Sequence, residues 1–382
     1  MNGPASSTQQ AAHTLAFVRF TGYHWEFMSV NEKRAPFTAL ACDVGGTNTT
    51  FALISGRPHE FRIVARHRCA TQKLTSFDEG LSEAMSSMLP YSADYPVTRA
   101  CVSAAGPVHG DSVQLTNASW DLHAGDIRNR IGAPVNLIND LEAVCYAVPL
   151  LDSDDPEQCE KLYHPDGNDP TPRGSVRAVV AAGTGLGVGF LSGDGFDLRV
   201  FPSEGGHADL AELDEETKRF RDHLRVTRGN DALEAELFVS GQGIANAASF
   251  VEAEGGFSSG RIAESMRSAS SDEKPAIVAR HAADDTDCRR AMRLFIRMYG
   301  KFAAGAALTF LPYAGLYLGG GIAAKNLQHF AGDDTFMHAF RTHYNESMQK
   351  PLARIPVRVI RDYDVSLFGC AHCAYIQAGV PA

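Results

Sequence analysis

The chain has no uninterrupted run of about eighteen apolar residues, the length a helix needs to cross a bilayer, so no membrane span is expected. It also lacks positive charge: 35 Lys and Arg stand against 45 Asp and Glu, a net charge of −10. That balance argues against a surface made for nucleic acid or anionic lipid. No GxxxxGK[ST] occurs anywhere, which excludes a Walker-type loop. The glycines between 183 and 189 miss the GxGxxG spacing of a dinucleotide site. Zinc spacing is missing as well. Cys370-Ala371-His372-Cys373 has the form CxxC, but no second CxxC or histidine pair lies nearby in sequence, so neither zinc nor redox work is expected of it. The remaining cysteines are scattered, several within apolar runs, as suits reduced core thiols in a cytoplasmic setting. No apolar signal-peptide core marks the start of the chain, and no organelle address is evident at its end.

What is present describes a globular α/β protein. Hydrophobic residues make up 44% and charged residues 21% of 382 residues, a length that favours two lobes over one core. Strand-like runs at Thr38 to Val44, Thr49 to Ile54, Ala100 to Ala104, Val135 to Ile138, Val176 to Ala182, Gly187 to Leu191, Leu316 to Leu318 and Val357 to Ile360 have helical stretches between them. Such alternation indicates an α/β fold. Ser76 to Met88 reads as an amphipathic helix capped by Ser76, and Arg290 to Leu311 as a long helix for burial. Asp152 to Gly174, rich in Asp, Pro and Gly, reads as a loop at a lobe boundary, and Gly255 to Lys274 as a surface excursion. Residues 1–36 precede the first clear strand and read as an extension whose aromatic residues pack on the protein or on a second subunit.

Three glycine-rich turns carry the chemistry. In Asp43-Val44-Gly45-Gly46-Thr47-Asn48, Gly45 and Gly46 join two strands so that main-chain N–H groups can approach an anion, with Thr47 and Asn48 as further donors. Asp43 would face the Mg²⁺ that accompanies ATP through water, since a hard cation of this kind takes oxygen ligands and keeps several waters. Gly183-Thr184-Gly185 turns between two further strands and can hold phosphate from the other side. Gly319-Gly320-Gly321 closes a strand and opens a helix, where a ribose or nucleobase can lie against backbone. Glycine-rich turns in both halves are what a duplicated lobe would leave behind.

Together with Asn139-Asp140, Glu204-Gly205-Gly206-His207, Ala235-Glu236-Leu237-Phe238-Val239-Ser240-Gly241 and Leu115-Thr116-Asn117-Ala118-Ser119-Trp120, these turns give the chain its resemblance. From Thr38 to Gly379 it is similar to the bacterial-type glucokinase family of the hexokinase, actin and chaperone-ATPase superfamily. The resemblance implies a two-lobed actin-like, ribonuclease H-like ATPase fold with ATP and sugar in the interlobe cleft. The lobes it implies are a small one over 37–150, to which 363–382 returns, and a large one over 151–362. It further implies ATP with Mg²⁺ as co-substrate, no tightly bound organic cofactor, glucose as acceptor and a cytoplasmic homodimer without nucleic-acid or membrane partners.

A hexose hydroxyl is a poor nucleophile, and a carboxylate within hydrogen-bond reach can take its proton as it attacks the γ-phosphate. Asp140 reads from the residues alone either as that base or as the cap of a helix beginning at Leu141, and the resemblance implies the base. It implies likewise that Asn139, Glu204, His207 and Glu236 hold sugar hydroxyls, with Thr116 and Asn117 as lid contacts. A related hexose or hexosamine kinase of the repressor type is the alternative within the class. Those proteins usually carry a cysteine cluster after the Gly-Gly-His segment, whereas Gly206-His207 here is followed by Ala208-Asp209-Leu210-Ala211. An actin- or chaperone-like ATPase switch would share the phosphate loops and have no need of the four sugar residues together.

Overall fold

Two mixed sheets of the same topology form the frame of the computed structural model, which describes residues 37–379 apart from 116, 117 and 119, together with a strand pair near the N-terminus. In the first sheet, β1 (Thr38–Val44), β2 (Asn48–Ser55) and β3 (Arg62–Ala70) make an antiparallel meander. Strands β4 (Arg99–Ala104) and β5 (Val135–Asn139) add in parallel on the other side of β1, giving the order β5-β4-β1-β2-β3. The second sheet contains β6 (Cys159–Leu162), β7 (Arg177–Ala182), β8 (Leu186–Ser192), β9 (Arg199–Ser203), β10 (Leu316–Gly319) and β11 (Val357–Ile360). Its order is β6-β11-β10-β7-β8-β9, again a meander with two parallel strands beside its first member. The Gly45 turn and the Gly183 turn therefore occupy the same place, the first hairpin of each sheet. This is the two-lobed actin-like fold, and the duplication is one of strand order rather than of residues.

The central strands were recognisable because both their faces are covered: β1 is buried at every position except Asp43, and β10 and β11 are buried throughout. Helices α1 (Phe77–Met88), α2 (Asp140–Ala147), α3 (Gly241–Ala253), α4 (Thr286–Phe310) and α5 (Val365–Gly379) supply most of that cover. Ser76 caps α1 as expected, its hydroxyl accepting from the Glu79 amide at 3.2 Å. In α4 the buried Tyr299 donates its hydroxyl to the Val180 carbonyl at 3.0 Å, so the ring is buried without leaving its polar end unpaired.

Between the sheets lie α2 and α5. Helix α5 places Leu367, Cys370, Ala371, Cys373 and Ala374 against Ala39, Ala41 and Cys101 of the first sheet. Its crossing with α2 is close enough that a Cβ on Gly369 would lie 1.7 Å from the Ala143 carbonyl oxygen. On its other side α2 presses Leu141 and Cys145 onto β8, where a Cβ on Gly187 would meet Leu141 at 3.1 Å and one on Gly189 the Cys145 sulfur at 2.9 Å. Those two glycines make room for the helix, leaving Gly183 and Gly185 as the turn proper. Cys370 and Cys373 are free core thiols.

Three segments read from the sequence as loop, surface excursion or extension contain regular structure. Within the Asp152 to Gly174 loop, Cys159–Leu162 is an edge strand paired antiparallel with β11, held by a bidentate ion pair of Arg358 with Asp169 at 2.8 and 2.9 Å. The Gly255 to Lys274 excursion contains a helix, Arg261–Ser268, anchored by the buried Ala263 and Met266 one turn apart. Within residues 1–36, Ala16–Thr21 and His24–Ser29 pair as antiparallel strands, in keeping with their aromatic and β-branched content. The rest of that extension lies outside the described residues, as does the proposed packing of its aromatic side chains.

Candidate active site

Sheet register brings the catalytic candidates together. Asp43 at the end of β1 stands opposite Ser103 in β4, and the next pair along, Ala104 with Asn139, carries the line to the end of β5. The Ser103 hydroxyl donates to Asp43 Oδ1 at 2.8 Å. Burial pushes the Asp43 carboxyl above its ordinary range, and the Ser103 bond partly opposes this.

The chain turns from β5 into α2 at Asn139, which is the cap; the helix starts at Asp140, one residue earlier than the capping alternative required. Asn139 Oδ1 accepts from the Leu141 amide at 2.9 Å, and Glu142 Oε2 returns the bond to the Asn139 amide at 2.9 Å. Asn139 Nδ2 donates to the Gly106 carbonyl at 3.1 Å. With its amide so committed, Asn139 fixes the start of α2. Asp140 opens the helix, its Oδ1 accepting from the Leu141 amide at 2.9 Å. It is accessible to solvent, yet protein surrounds the carboxylate closely enough that desolvation is the main cause raising its pKa. The Leu141 amide acts against that shift, and the charge of Asp43 adds to it. The two carboxylates thus lie within electrostatic reach of each other.

The first glycine turn is held from behind. Thr71 Oγ1 donates to the Gly45 carbonyl at 2.7 Å, Gln72 Nε2 to that of Gly46 at 3.1 Å, and the Thr71 amide to that of Thr47 at 3.0 Å. In a trans peptide the N–H points opposite to the C=O, so the Gly46 and Thr47 amides face away from this clamp. Thr47 is exposed at the tip, and Asn48 begins β2 half-buried. The second turn is also braced: the Gly241 amide donates to the Gly183 carbonyl at 2.8 Å, and the Leu186 amide to Glu236 Oε2 at 2.8 Å. Thr184 is exposed at its tip. In the third turn Gly319 is buried at the end of β10, and a Cβ on Gly320 would fall 2.3 Å from the Ala182 carbonyl oxygen. This close approach, next to the Ala181–Gly319 pair of the ladder, seats the third turn against the second. Gly321 opens the following short helix.

Of the expected sugar residues, Glu204 precedes and His207 ends a short helical turn over Gly205–His207. Gly206 is required there, since a Cβ would lie 1.8 Å from the Leu186 carbonyl oxygen. His207 Nδ1 lies 2.9 Å from Glu234 Oε2, and Nε2 lies 3.8 Å from Glu204 Oε2. The bond to Glu234 is the main cause raising the His207 pKa. Glu236 belongs to the wall of the second glycine turn through its bond to Leu186, which links the sugar and nucleotide candidates in one carboxylate. Thr116 and Asn117 lie outside the described residues.

Four residues that matter here were not singled out from the sequence: Ser103, Thr71, Gln72 and Glu234. Only Ser103 carried a signal, as a lone hydroxyl in an apolar strand leading to Gly106. Among the described residues no group of three His, Cys, Asp or Glu side chains is gathered to hold a metal. A cavity of about 570 Å³, lined by Asn168, Arg173, Tyr313 and Arg354 among others, opens at the amino-terminal ends of β7, β10 and β11, away from the phosphate turns.

A sequence model of the glucokinase family matches residues 40–377. Glucokinase of Nostoc sp. (strain PCC 7120) is 33% identical over 350 residues, covering 88% of this chain and 98% of that protein. Glucokinase of Cronobacter sakazakii is 32% identical over 296 residues, covering 76% and 84%. Among solved structures, glucokinase from an Antarctic psychrotroph superposes with a TM-score of 0.74 at 25% identity, over 90% of this chain and 99% of the other. A ROK family glucokinase from Streptomyces griseus, solved with glucose and AMPPNP, shares the fold at a TM-score of 0.58 and 18% identity, over 88% and 99%. With the aligned carboxylates, the braced glycine turns and a family match across nearly the whole described chain, this protein belongs to the glucokinase family.

Proposed function

We propose that the chain transfers the γ-phosphoryl group of ATP to the 6-hydroxyl of glucose, yielding glucose 6-phosphate and ADP, with Asp140 as the general base. The observation that carries this reading is Asp140 itself, a solvent-accessible carboxylate at the start of α2 whose pKa is raised chiefly by desolvation and whose Oδ1 is oriented by the Leu141 amide. As the hydroxyl oxygen bonds to phosphorus and the bond from phosphorus to the bridging oxygen of ADP breaks, the hydroxyl proton passes to Asp140. Asn139 keeps the base in place through the helix cap. Glu204, His207 and Glu236 orient the hexose, with Thr116 and Asn117 as lid contacts, and the N–H edges of the turns at Gly45, Gly46, Thr47, Asn48, Gly183, Thr184, Gly185, Gly319, Gly320 and Gly321 receive the nucleotide.

Two carboxylates sharing one cleft fit a divalent cation, because it would relieve the mutual charge that raises the Asp140 pKa. Asp43, with Oδ1 held by Ser103, would hold Mg²⁺ through water, and the ion would neutralise charge developing on the phosphates. In this reading residues 37–150 with 363–382 form the small lobe and 151–362 the large one, supported by the packing of α5 on the first sheet. Closure of the lobes over sugar excludes the water that would otherwise accept phosphate. The same reading has the enzyme act as a cytoplasmic homodimer without nucleic-acid or membrane partners, and light scattering tests the dimer.

A coupled assay over a panel of hexoses, hexosamines and phosphate donors tests the activity. Highest kcat/KM for glucose with ATP is the expected result. ATP hydrolysis that ignores sugar, with no phosphorylated hexose formed, overturns it in favour of a nucleotide switch.

A further inference from the structure

We propose that Glu234 is a positioning residue for sugar recognition, holding the His207 ring by Nδ1 so that Nε2 is the nitrogen presented beside Glu204 to a sugar hydroxyl. This rests on the sugar-kinase reading of the site. An ionised carboxylate only accepts hydrogen bonds, so the 2.9 Å approach of Glu234 Oε2 to Nδ1 places a proton on Nδ1. In the neutral ring Nε2 is then the acceptor, and it is the nitrogen that lies 3.8 Å from Glu204 Oε2. Glu234 is held for this task by main-chain bonds. An antiparallel bridge joins it to Asp209, and the Ala235 amide donates to the Ala208 carbonyl at 2.8 Å, tying the segment after His207 to the segment that carries Glu234 and Glu236.

The charged groups that face His207 are Glu234, Glu236 and Glu204, in that order of effect, and all three favour the imidazolium against a smaller opposing contribution from burial. His207 therefore stays protonated to higher pH than an unperturbed histidine. Removal of the Glu234 charge lowers that ionisation, and the corresponding step in kcat/KM for the sugar moves with it.

Side-chain ¹H–¹⁵N correlation spectra of the whole chain, with His207 assigned by its loss in His207→Asn, read tautomer and pKa without turnover. Glu234→Gln keeps an acceptor for Nδ1–H, so the tautomer persists while the His207 pKa falls. Glu234→Ala removes the acceptor; the tautomer preference is lost, and KM for glucose rises about tenfold, the scale of one hydrogen bond to a charged group. KM for ATP stays within about twofold, because Glu234 touches none of the phosphate turns. An unchanged His207 pKa and tautomer in Glu234→Ala, or an unchanged KM for glucose, overturns the proposal. Should the unaltered protein phosphorylate no hexose, the sugar reading itself fails, and the spectra still report whether Glu234 sets the state of His207.

Discussion

Replacement of Asp140 separates catalysis from folding. In Asp140→Asn the side chain keeps its size and its oxygen can still accept from the Leu141 amide, but it no longer takes a proton. A positioned general base contributes about 10²- to 10⁴-fold, so kcat should fall by that factor, equivalent to about 3–5 kcal/mol of barrier. Stability should not follow. The Leu141 amide has a second acceptor in Asn139 Oδ1 at 2.9 Å, so even Asp140→Ala leaves the helix capped. Because burial raises the folded-state pKa of Asp140, ionisation costs folding energy. The native state binds the extra proton between the unfolded and folded pKa values, and stability falls as pH rises through that window. Above it, at neutral pH, Asp140→Asn should be as stable as the parent or more so, and the advantage should vanish in acid below the ordinary aspartate pKa. Steady-state kinetics paired with thermal melts at several pH values test this. A variant that keeps more than about a tenth of the parental kcat refutes the base. A variant that loses stability at neutral pH refutes the account of its burial.

The remaining predictions concern the scaffold. Thr71→Val removes the hydroxyl that binds the Gly45 carbonyl at 2.7 Å and leaves the buried Thr49 hydroxyl, 3.0 Å away, without that partner. A loss of about 1–3 kcal/mol in denaturant stability and a raised KM for ATP are expected, with Thr71→Ser restoring both; an unchanged KM for ATP counts against the clamp. Glu236→Ala frees the Leu186 amide beside the second turn, so KM for ATP and for glucose should rise together, and a change in only one contradicts a shared role. Gly369→Ala puts a methyl group 1.7 Å from the Ala143 carbonyl and should cost about 3 kcal/mol or more by forcing α5 off α2. A Gly369→Ala protein that melts with the parent would show that the crossing is not tight.

Much of the central frame was legible because its elements announce themselves locally. Strands β1, β10 and β11 are short apolar runs because both faces are covered, and the glycine at 320 stands where a Cβ would fall 2.3 Å from the Ala182 carbonyl oxygen. The edge strands β3 and β9 went unrecognised for the opposite reason: they are partly exposed and mix charged with apolar residues, as edges do to avoid further pairing. Gly187 and Gly189 read as members of a strand, and only the position of α2 shows that they clear space for Leu141 and Cys145.

By itself the sequence indicated the α/β class, through strand-like runs alternating with helical stretches, and the three glycine turns, which depend on residue type within a few neighbouring positions; the residues alone left Asp140 open between base and helix cap. Tertiary structure alone decided what stands behind them. Ser103 meets Asp43 across 60 residues, Thr71 meets Gly45 across 26, and Glu234 meets His207 across 27. No local preference encodes such pairs. They follow from sheet register and chain crossing, where a polar side chain is held by whatever partner the fold brings within hydrogen-bond distance.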